Sequence, residues 1–314
     1  MDDIALATRQ GASIPAIAGG AIGAGPDTDW SMRRLKILHR TYYNFRGAVQ
    51  LEPHRLLLRP REGPGLHIEF SKLDISPTAQ IRWIRDAYDN SVAIASFASP
   101  TRQLAIVSEC IVQQFDEAPL DFLVEDFAVN YPFTYDADSA EVLRPYLDRP
   151  PQGDQTALGA WVRRYWQPGE LVQTYGLLAR LCSAINQSMI YQMREQPGVQ
   201  SASETLTRGV GSCRDFANLF MEAARSLGVA ARFVSGYLNA PLAAGRSGST
   251  HAWAEVYLPG AGWKGFDPTS GGIAGSQHIA VAVARLPEVV SPVTGAFFGP
   301  AGADLSVGVW VSEP

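Results

Sequence analysis

The sequence predicts an α+β protein with a strand-rich first half and a second half in which helices are followed by strands. Two observations support this class. From Leu35 to Phe115, short β-branched or aromatic runs alternate with turn-forming Pro, Gly, Asp and Asn clusters, without helices between them. After about residue 153, apolar residues recur at the i, i+3, i+4 spacing of amphipathic helices.

The first half is predicted to be an antiparallel β-sandwich, because closely spaced strands without intervening helices are typical of that architecture. The pattern gathers no reactive side chains in this half. The predicted strands are Leu35–Tyr43, Val49–Arg59, Leu66–Phe70, Ile81–Trp83, Val92–Phe97 and Leu104–Phe115.

The second half begins after a Pro- and Asp-rich stretch, Tyr131 to Gly153, which is predicted to connect two domains. Helices are predicted over Thr156–Trp166, Leu171–Glu195 and Cys213–Leu227, with a capped turn at Ser201–Thr205 and a stop at Gly228. Strands are predicted over Ala231–Asn239, His251–Leu258, Gly262–Asp267, His278–Ala284 and Leu305–Val311.

Length and composition set the broad class of protein. The 314 residues suffice for two domains, and 46% hydrophobic with 18% charged residues argue against disordered and fibrous proteins. A net charge of −5 without a basic run argues against nucleic acid or an anionic membrane as partner. We predict a flexible tail over residues 1–30, a β domain over 31–150 and a second domain over 151–314.

The cellular compartment is predicted from the amino terminus and the cysteines. The chain starts Met-Asp-Asp without a basic segment, and Gly11 to Gly25 holds Pro15 and five glycines, too weak a pattern for a membrane helix. Three scattered cysteines are too few for a disulfide framework. We therefore expect a cytoplasmic protein, with Cys110 and Cys182 as buried structural residues.

The third cysteine has a different context. Cys213 follows Gly209 and Gly211 and starts an amphipathic helix, whose free N–H groups and dipole favour a thiolate. His251 starts a predicted strand, and Asp267 ends the next one. A thiol, an imidazole and a carboxylate in neighbouring elements are the parts of a nucleophilic acyl-transfer site.

Metal binding is the competing use of these residue types. Zinc sites usually contain close ligand pairs, and the sequence has neither C-x-x-C nor H-E-x-x-H. We therefore predict no metal and no cofactor. His39, His54 and His67 are expected to be structural, and His278 is expected to be structural although it could line the cleft.

Several motifs resemble the transglutaminase-like superfamily, specifically its bacterial branch. They are Gly-Val-Gly-Ser-Cys-Arg-Asp-Phe-Ala-Asn-Leu-Phe, Thr-His-Ala-Trp-Ala-Glu-Val-Tyr-Leu-Pro-Gly and Gly-Trp-Lys-Gly-Phe-Asp-Pro-Thr, with weaker ones at Tyr43–Arg61 and Asp86–Asn90. In the last, Asp89 replaces a glycine of the branch, which bears on the shape of a turn. The resemblance runs from about Leu35 to the C-terminus.

The resemblance implies a papain-like, transglutaminase-like core, in which a helix bearing the cysteine packs on an antiparallel sheet. It also implies that Cys213 is the nucleophile, His251 the general base and acid, and Asp267 the orienting carboxylate. It does not imply calcium. For the oxyanion hole we expect the backbone N–H of Cys213 and a second donor among Asn186, Gln187 and Tyr191.

The reaction predicted is attack on a peptide or carboxamide carbonyl through a thioester intermediate. Hydrolysis, as in a cysteine peptidase or amidase, is favoured because the Asn239–Thr250 loop is small and Gly-rich, which predicts open access for water. The alternatives are a protein-glutamine transglutaminase or amide ligase with an amine acceptor, and a non-catalytic peptide-binding module. In all cases the predicted partner is a peptide or protein, which the edge strands of the β domain could also recognise.

Overall fold

The computed structural model describes residues 32–115, 120–148, 152–194, 196, 198–239, 248, 250–300 and 302–314. The predicted tail at residues 1–30 lies outside them, as does most of the Asn239–Thr250 loop. The strands are β1 (Met32–Leu51), β2 (His54–Leu56), β3 (Leu66–Ser76), β4 (Ala79–Arg85), β5 (Ser91–Phe97), β6 (Thr101–Phe115), β7 (Asn130–Tyr131), β8 (Val172–Gln173), β9 (Ile190–Tyr191), β10 (Val210–Gly211), β11 (Ala231–Leu238), β12 (His251–Leu258), β13 (Gly262–Asp267), β14 (Gly272–Ile273), β15 (His278–Ala284), β16 (Val293–Thr294), β17 (Phe297–Phe298) and β18 (Ala303–Ser312).

Helices occur mainly in the middle of the chain. They are α1 (Asp126–Val129), α2 (Ala137–Leu147), α3 (Gln152–Val162), α4 (Thr174–Ser188), α5 (Ala202–Arg208) and α6 (Cys213–Ser226), followed by a 3-10 turn at Pro287–Val290. Among these described helices, none is long and apolar enough to cross a membrane.

The predicted antiparallel sandwich is present. One sheet has the order β17-β1-β6-β3, with β18 also paired to β1, and the other has the order β16-β2-β5-β4. Alternate residues of β1 and β6 face inward, as the period of a strand requires. The core between the sheets contains Phe45, Val49, Leu51, Leu56, Leu58, Ala93, Ala95, Leu104 and Ile106.

The last strand, predicted at Leu305–Val311, spans Ala303–Ser312 in the structure and pairs with a strand of the first sheet. β18 pairs antiparallel with β1 from Lys36–Ser312 to Phe45–Ala303. β1 pairs with β6 along one edge, and β18 covers its other edge. Ser31–Pro314 form one compact unit, and the domain boundary near residue 150 stays a prediction.

The second half places helix α6 on a five-stranded antiparallel sheet of order β14-β13-β12-β11-β15. The apolar face of α6 is buried, and the ring of Phe220 stacks on that of Phe266 in β13 with 5.2 Å between centroids. Complete burial of one such side chain contributes about 1.5–3 kcal/mol. The predicted α+β fold is thereby confirmed, with the sheet and α6 forming the frame of the site.

The predicted connection between the halves and the helix predicted after it both differ in the structure. The predicted connection at Tyr131–Gly153 contains α2, whose first turn is capped by Asp136 and whose Leu143 is buried, so much of this stretch packs on the core. The predicted helix Leu171–Glu195 is shorter, because α4 ends at Ser188 and the chain then pairs with β10 as β9.

The turn at Asp86–Asn90 explains the departure from the family pattern. Asp89 has a φ of 60°, in the left-handed region that glycine adopts at least cost. The Asp86 side chain accepts the backbone N–H groups of Tyr88 and Asn90, which fixes the turn. The turn shape therefore tolerates aspartate, one of the few residues other than glycine that adopt this conformation.

Candidate active site

Cys213 is the first residue of α6, and the chain before it is held by hydrogen bonds to Asp215. The backbone N–H and the hydroxyl of Ser212 both donate to Asp215 Oδ2, at 2.8 Å each. Gly211 is packed closely there, since a Cβ on it would lie 2.9 Å from the Cβ of Asp215. Glycine is needed at this position because the Asp215 side chain lies so close, and not because the backbone has a positive φ.

The other oxygen of Asp215 binds the segment that precedes α5. Oδ1 accepts Arg194 Nη1 at 2.6 Å and the backbone N–H of Gln200 at 2.7 Å. Burial disfavours the charge on this carboxyl group, but these donors and Ser212 lower its pKa. The fully buried Asp215 thus connects the start of the cysteine-bearing helix to the segment before α5 and to Ser212, which follows α5.

The structure brings His251 and Asp267 together. His251 starts β12 and Asp267 ends the neighbouring β13, and His251 Nε2 lies 3.0 Å from Asp267 Oδ2. Asp267 Oδ1 accepts the backbone N–H of Thr269 at 2.9 Å. With only 1% of its side chain exposed, Asp267 is a buried carboxylate that receives donors on both oxygens.

The thiol of Cys213 completes the group. Burial alone lowers the pKa of His251, but the hydrogen bond to Asp267 and the interaction with Cys213 outweigh burial and raise that pKa to about 9. Because Nε2 of His251 is hydrogen-bonded to Asp267, Nδ1 is the ring nitrogen available to interact with the Cys213 thiol. Burial raises the pKa of Asp267, but its two histidine partners more than reverse that effect.

His278, which the sequence pattern predicts to be structural, is a fourth member of this group. Its Nε2 lies 3.2 Å from the same Asp267 Oδ2. His251, Asp267 and His278 are also the one group of metal-ligating type among the described residues. However, His278 Nδ1 accepts the backbone N–H of Gly275, which places the ring proton on Nε2 and directs it to the carboxylate.

Trp253 supports both histidines. Its ring lies 6.1 Å from that of His251 and 5.0 Å, edge-on, from that of His278. On both neighbouring strands a glycine faces it. A Cβ on Gly236 would come within 2.7 Å of the indole, and one on Gly265 within 3.4 Å. The two glycines therefore make the space that the buried indole occupies between the strands.

The three predicted oxyanion side chains have different surroundings. Asn186 Nδ2 donates to the backbone oxygen of Thr269 at 2.6 Å, and the exposed amide of Gln187 donates to Ser183. Tyr191 interacts with the Cys213 thiol. Burial, then the proximity of Cys213, raises the pKa of the Tyr191 hydroxyl, which therefore remains a donor at neutral pH.

The other two cysteines lie outside the group. Both are buried, and all three cysteines are free. Burial raises the pKa of the thiol of Cys110, which contacts Ser71, and of Cys182, which contacts the backbone oxygen of Gly272. Neither thiol has an imidazole partner among the contacts described, so both serve as internal references for Cys213.

Comparisons with known proteins define the family. Residues 169–268 match the transglutaminase-like superfamily, and residues 35–113 match the bacterial transglutaminase-like N-terminal region. The two regions together cover more than half of the chain. The chain belongs to the transglutaminase-like superfamily, in the bacterial branch that carries this N-terminal region, and thiol-dependent acyl transfer is the general chemistry this membership supports.

The individual relatives span nearly the whole chain. Mycobacterium leprae ML0607 is 26% identical over 288 residues, 90% of this chain and 99% of the relative. Mycobacterium tuberculosis Rv2569c is 28% identical over 290 residues, 84% and 88% of the two chains. A candidate cysteine protease from Cytophaga hutchinsonii superposes with a TM-score of 0.68 over 90% of each chain at 19% identity, which shows that the fold is shared.

Proposed function

We propose that this protein is a cysteine-dependent hydrolase of peptide or carboxamide bonds, with Cys213, His251 and Asp267 as its catalytic triad. The observation that carries the proposal is the shared environment of the three side chains. The imidazole interacts with the thiol and is hydrogen-bonded to a buried carboxylate. Such an arrangement supports a thiolate–imidazolium pair, the reactive form of a cysteine nucleophile.

The reaction has two halves. The thiolate of Cys213 attacks the carbonyl carbon, and the resulting oxyanion is stabilised by the backbone N–H of Cys213 and the hydroxyl of Tyr191. Collapse breaks the C–N bond, and His251 gives its proton to the leaving amine. Water then attacks the thioester, His251 takes a proton from it, and release of the carboxylic acid regenerates the thiolate.

Exposed residues on one side of the Cys213 thiol favour water rather than an amine as the acceptor. Tyr191 and the neighbouring Ile190 and Met193 are exposed, so this side of the site is open to solvent. An amine acceptor must compete with water at such a site, and exclusion of water is what transamidation requires. The predicted access loop, Asn239–Thr250, lies mostly outside the described residues.

The first test measures the reactivity of the thiol. Purified protein under reducing conditions is treated with iodoacetamide from pH 5 to 9, and each cysteine is quantified by peptide mass spectrometry. We expect Cys213 to alkylate well below the free-thiol pKa of about 8.5, and we expect His251→Ala to remove that advantage. If Cys213 reacts no faster than Cys110 and Cys182 in unfolded protein, the proposal is wrong.

The second test separates the two acceptors. Glutamine-containing peptides are incubated with the protein, with and without a primary amine, and the products are identified by mass. Formation of the acid in both cases supports hydrolysis, whereas an amide of the added amine identifies a transglutaminase. Cys213→Ala is the control that separates catalysis by this site from a contaminant.

A further inference from the structure

Asp267 Oδ2 is shared by two histidines that come from different strands. His251 reaches it from β12 and His278 from β15, at 3.0 and 3.2 Å. The proposed triad needs only the first of these hydrogen bonds. The second joins a strand from the far edge of the sheet to the carboxylate, and the side chain of His278 is only 9% exposed.

The direction of the second hydrogen bond is fixed by a turn. The backbone N–H of Gly275 donates to His278 Nδ1 at 3.2 Å, and the N–H of His278 donates back to the Gly275 oxygen at 2.8 Å. An imidazole that accepts at Nδ1 carries its proton on Nε2. His278 is therefore a donor to Asp267, and the turn holds the ring in place.

We propose that His278 is a positioning residue that holds the Asp267 carboxylate against His251 throughout the reaction, an inference that rests on the proposed function. His251 gains and loses a proton in each turnover, so the strength of its hydrogen bond to Asp267 changes. His278 donates from a nitrogen that takes no part in proton transfer. It gives the buried Oδ2 one constant donor, while Thr269 supplies the constant donor of Oδ1.

Among the described residues, few titratable groups lie around this carboxylate. Besides the two histidines, the charge of Asp267 acts on Cys182 from α4 and on Tyr191 from β9. Cys213 faces His251 from α6, and Arg214 acts on Tyr191. Substitution of His278 leaves all of these groups in place, so a pH profile that changes in His278→Ala but not in His278→Gln can be assigned to the lost hydrogen bond.

The test compares His278→Ala with His278→Gln. The glutamine amide can place an N–H donor close to the position of the imidazole Nε2, whereas alanine removes the donor. With iodoacetamide as the probe, we expect His278→Ala to slow Cys213 alkylation at pH 6.5 by about fivefold. We expect the midpoint of its pH profile to rise by about half a unit, because a less fixed carboxylate supports the imidazolium less well. His278→Gln should stay within about twofold of the wild type.

His54→Ala is the matched control. His54 is also a buried histidine, and its Nδ1 donates a hydrogen bond to the backbone oxygen of Glu52. Its loss should lower the unfolding temperature without moving the alkylation profile. Unfolding temperatures of all variants show how much of any change is structural.

The outcomes separate the two proposals. A normal profile in His278→Ala beside a strongly reactive wild-type Cys213 overturns the role of His278 and leaves the proposed function intact. Equal losses in His278→Ala and His278→Gln also overturn it, since the donor then has no effect of its own. A wild-type Cys213 without enhanced reactivity overturns both proposals.

Discussion

Asp267 is the residue whose charge does most to set the pH range of the proposed site. It stays ionised in a buried position and, together with Cys213, raises the pKa of His251 to about 9. The imidazolium therefore persists up to that pH, and the ion pair with the thiolate is lost as the pH rises further. The pH above which activity falls therefore reports on the charge of Asp267.

Asp267→Asn keeps an oxygen acceptor for His251 Nε2 but removes the negative charge. We expect the upper limb of the kcat/KM profile to move down by at least about one pH unit, since the pKa of His251 loses its main upward contribution. Activity at neutral pH should fall at least about tenfold. Glu255→Gln is the matched control. Glu255 lies on the same strand as His251, and its charge is paired with Arg232 of the neighbouring strand. Its loss should leave the upper limb of the kcat/KM profile in place. An unchanged limb in Asp267→Asn contradicts the orienting role.

Tyr191, on the short strand β9, offers a hydroxyl beside the Cys213 thiol. Tyr191→Phe keeps the ring, which packs edge-on against Phe216 at 6.4 Å, and removes only the donor. We expect kcat to fall roughly 100-fold with little change in KM, the usual effect of losing one oxyanion donor, while Cys213 alkylation persists. Gln187→Ala should change kcat less than about twofold, because its amide is turned to Ser183. Equal effects of the two substitutions would contradict the assignment to Tyr191.

The sequence could predict Cys213, His251 and Asp267 because each stands at a recognisable end of a helix or strand. The structure brings the three side chains together. Their catalytic roles stay a proposal. The pattern could not reveal the hydrogen bond from His278 to Asp267, because β13 and β15 are not neighbours in the sheet and β12 and β11 lie between them. The only local signal was a histidine at the start of a strand, after Gly-Ser-Gln.

At the scale of elements, the N-terminus of α6 depends on one carboxylate. Asp215 is fully buried and accepts four donors, two from Ser212 and one each from Arg194 and Gln200. These bonds connect the first turn of the helix to the chain on either side of α5. They therefore determine where the thiol of Cys213 lies.

Asp215→Ala should lower the free energy of unfolding by about 3 kcal/mol, because it leaves buried donors without an acceptor and removes the partner of Arg194. The measurement is urea unfolding followed by tryptophan fluorescence. Glu204→Ala is the control, since its pair with Arg208 is exposed and should contribute less than about 0.5 kcal/mol. A loss in Asp215→Ala as small as in the control would show that other contacts hold the helix start.

Element boundaries were predictable where local chemistry sets them. Gly228, with a φ of 77°, follows α6 as expected of a stop signal, and β12, β13 and β15 begin and end where predicted. The end of α4 was not predictable, because apolar spacing continues past Ser188. There the pairing of Ile190 and Tyr191 with β10 replaces the helix, and that pairing is tertiary.

At the scale of the molecule, the first and last strands of the described chain are neighbours. β1 lies between β6 and β18, with Val309 of β18 buried and Trp310 under the guanidinium of Arg40. The second sheet also receives β16 from the same C-terminal stretch. The sandwich therefore depends on residues at both ends of the sequence.

Removal of residues 300–314 should uncover one edge of β1 and lower the free energy of unfolding by at least about 3 kcal/mol, through lost backbone hydrogen bonds and apolar burial. Hydrogen exchange should show lost protection in β1. Removal of Glu313 and Pro314 alone is the control, because both follow β18. Equal unfolding midpoints for the two shortened chains would contradict the closing role of β18.

The pairing of β1 with β18 also has a consequence for synthesis. β1 is synthesised well before β18, so until β18 has been made the growing polypeptide carries a long strand with an open edge. Contacts between residues so far apart in sequence form slowly, and open edges invite pairing with other chains. The newborn protein is thus vulnerable to aggregation in the interval before β18 emerges from the ribosome.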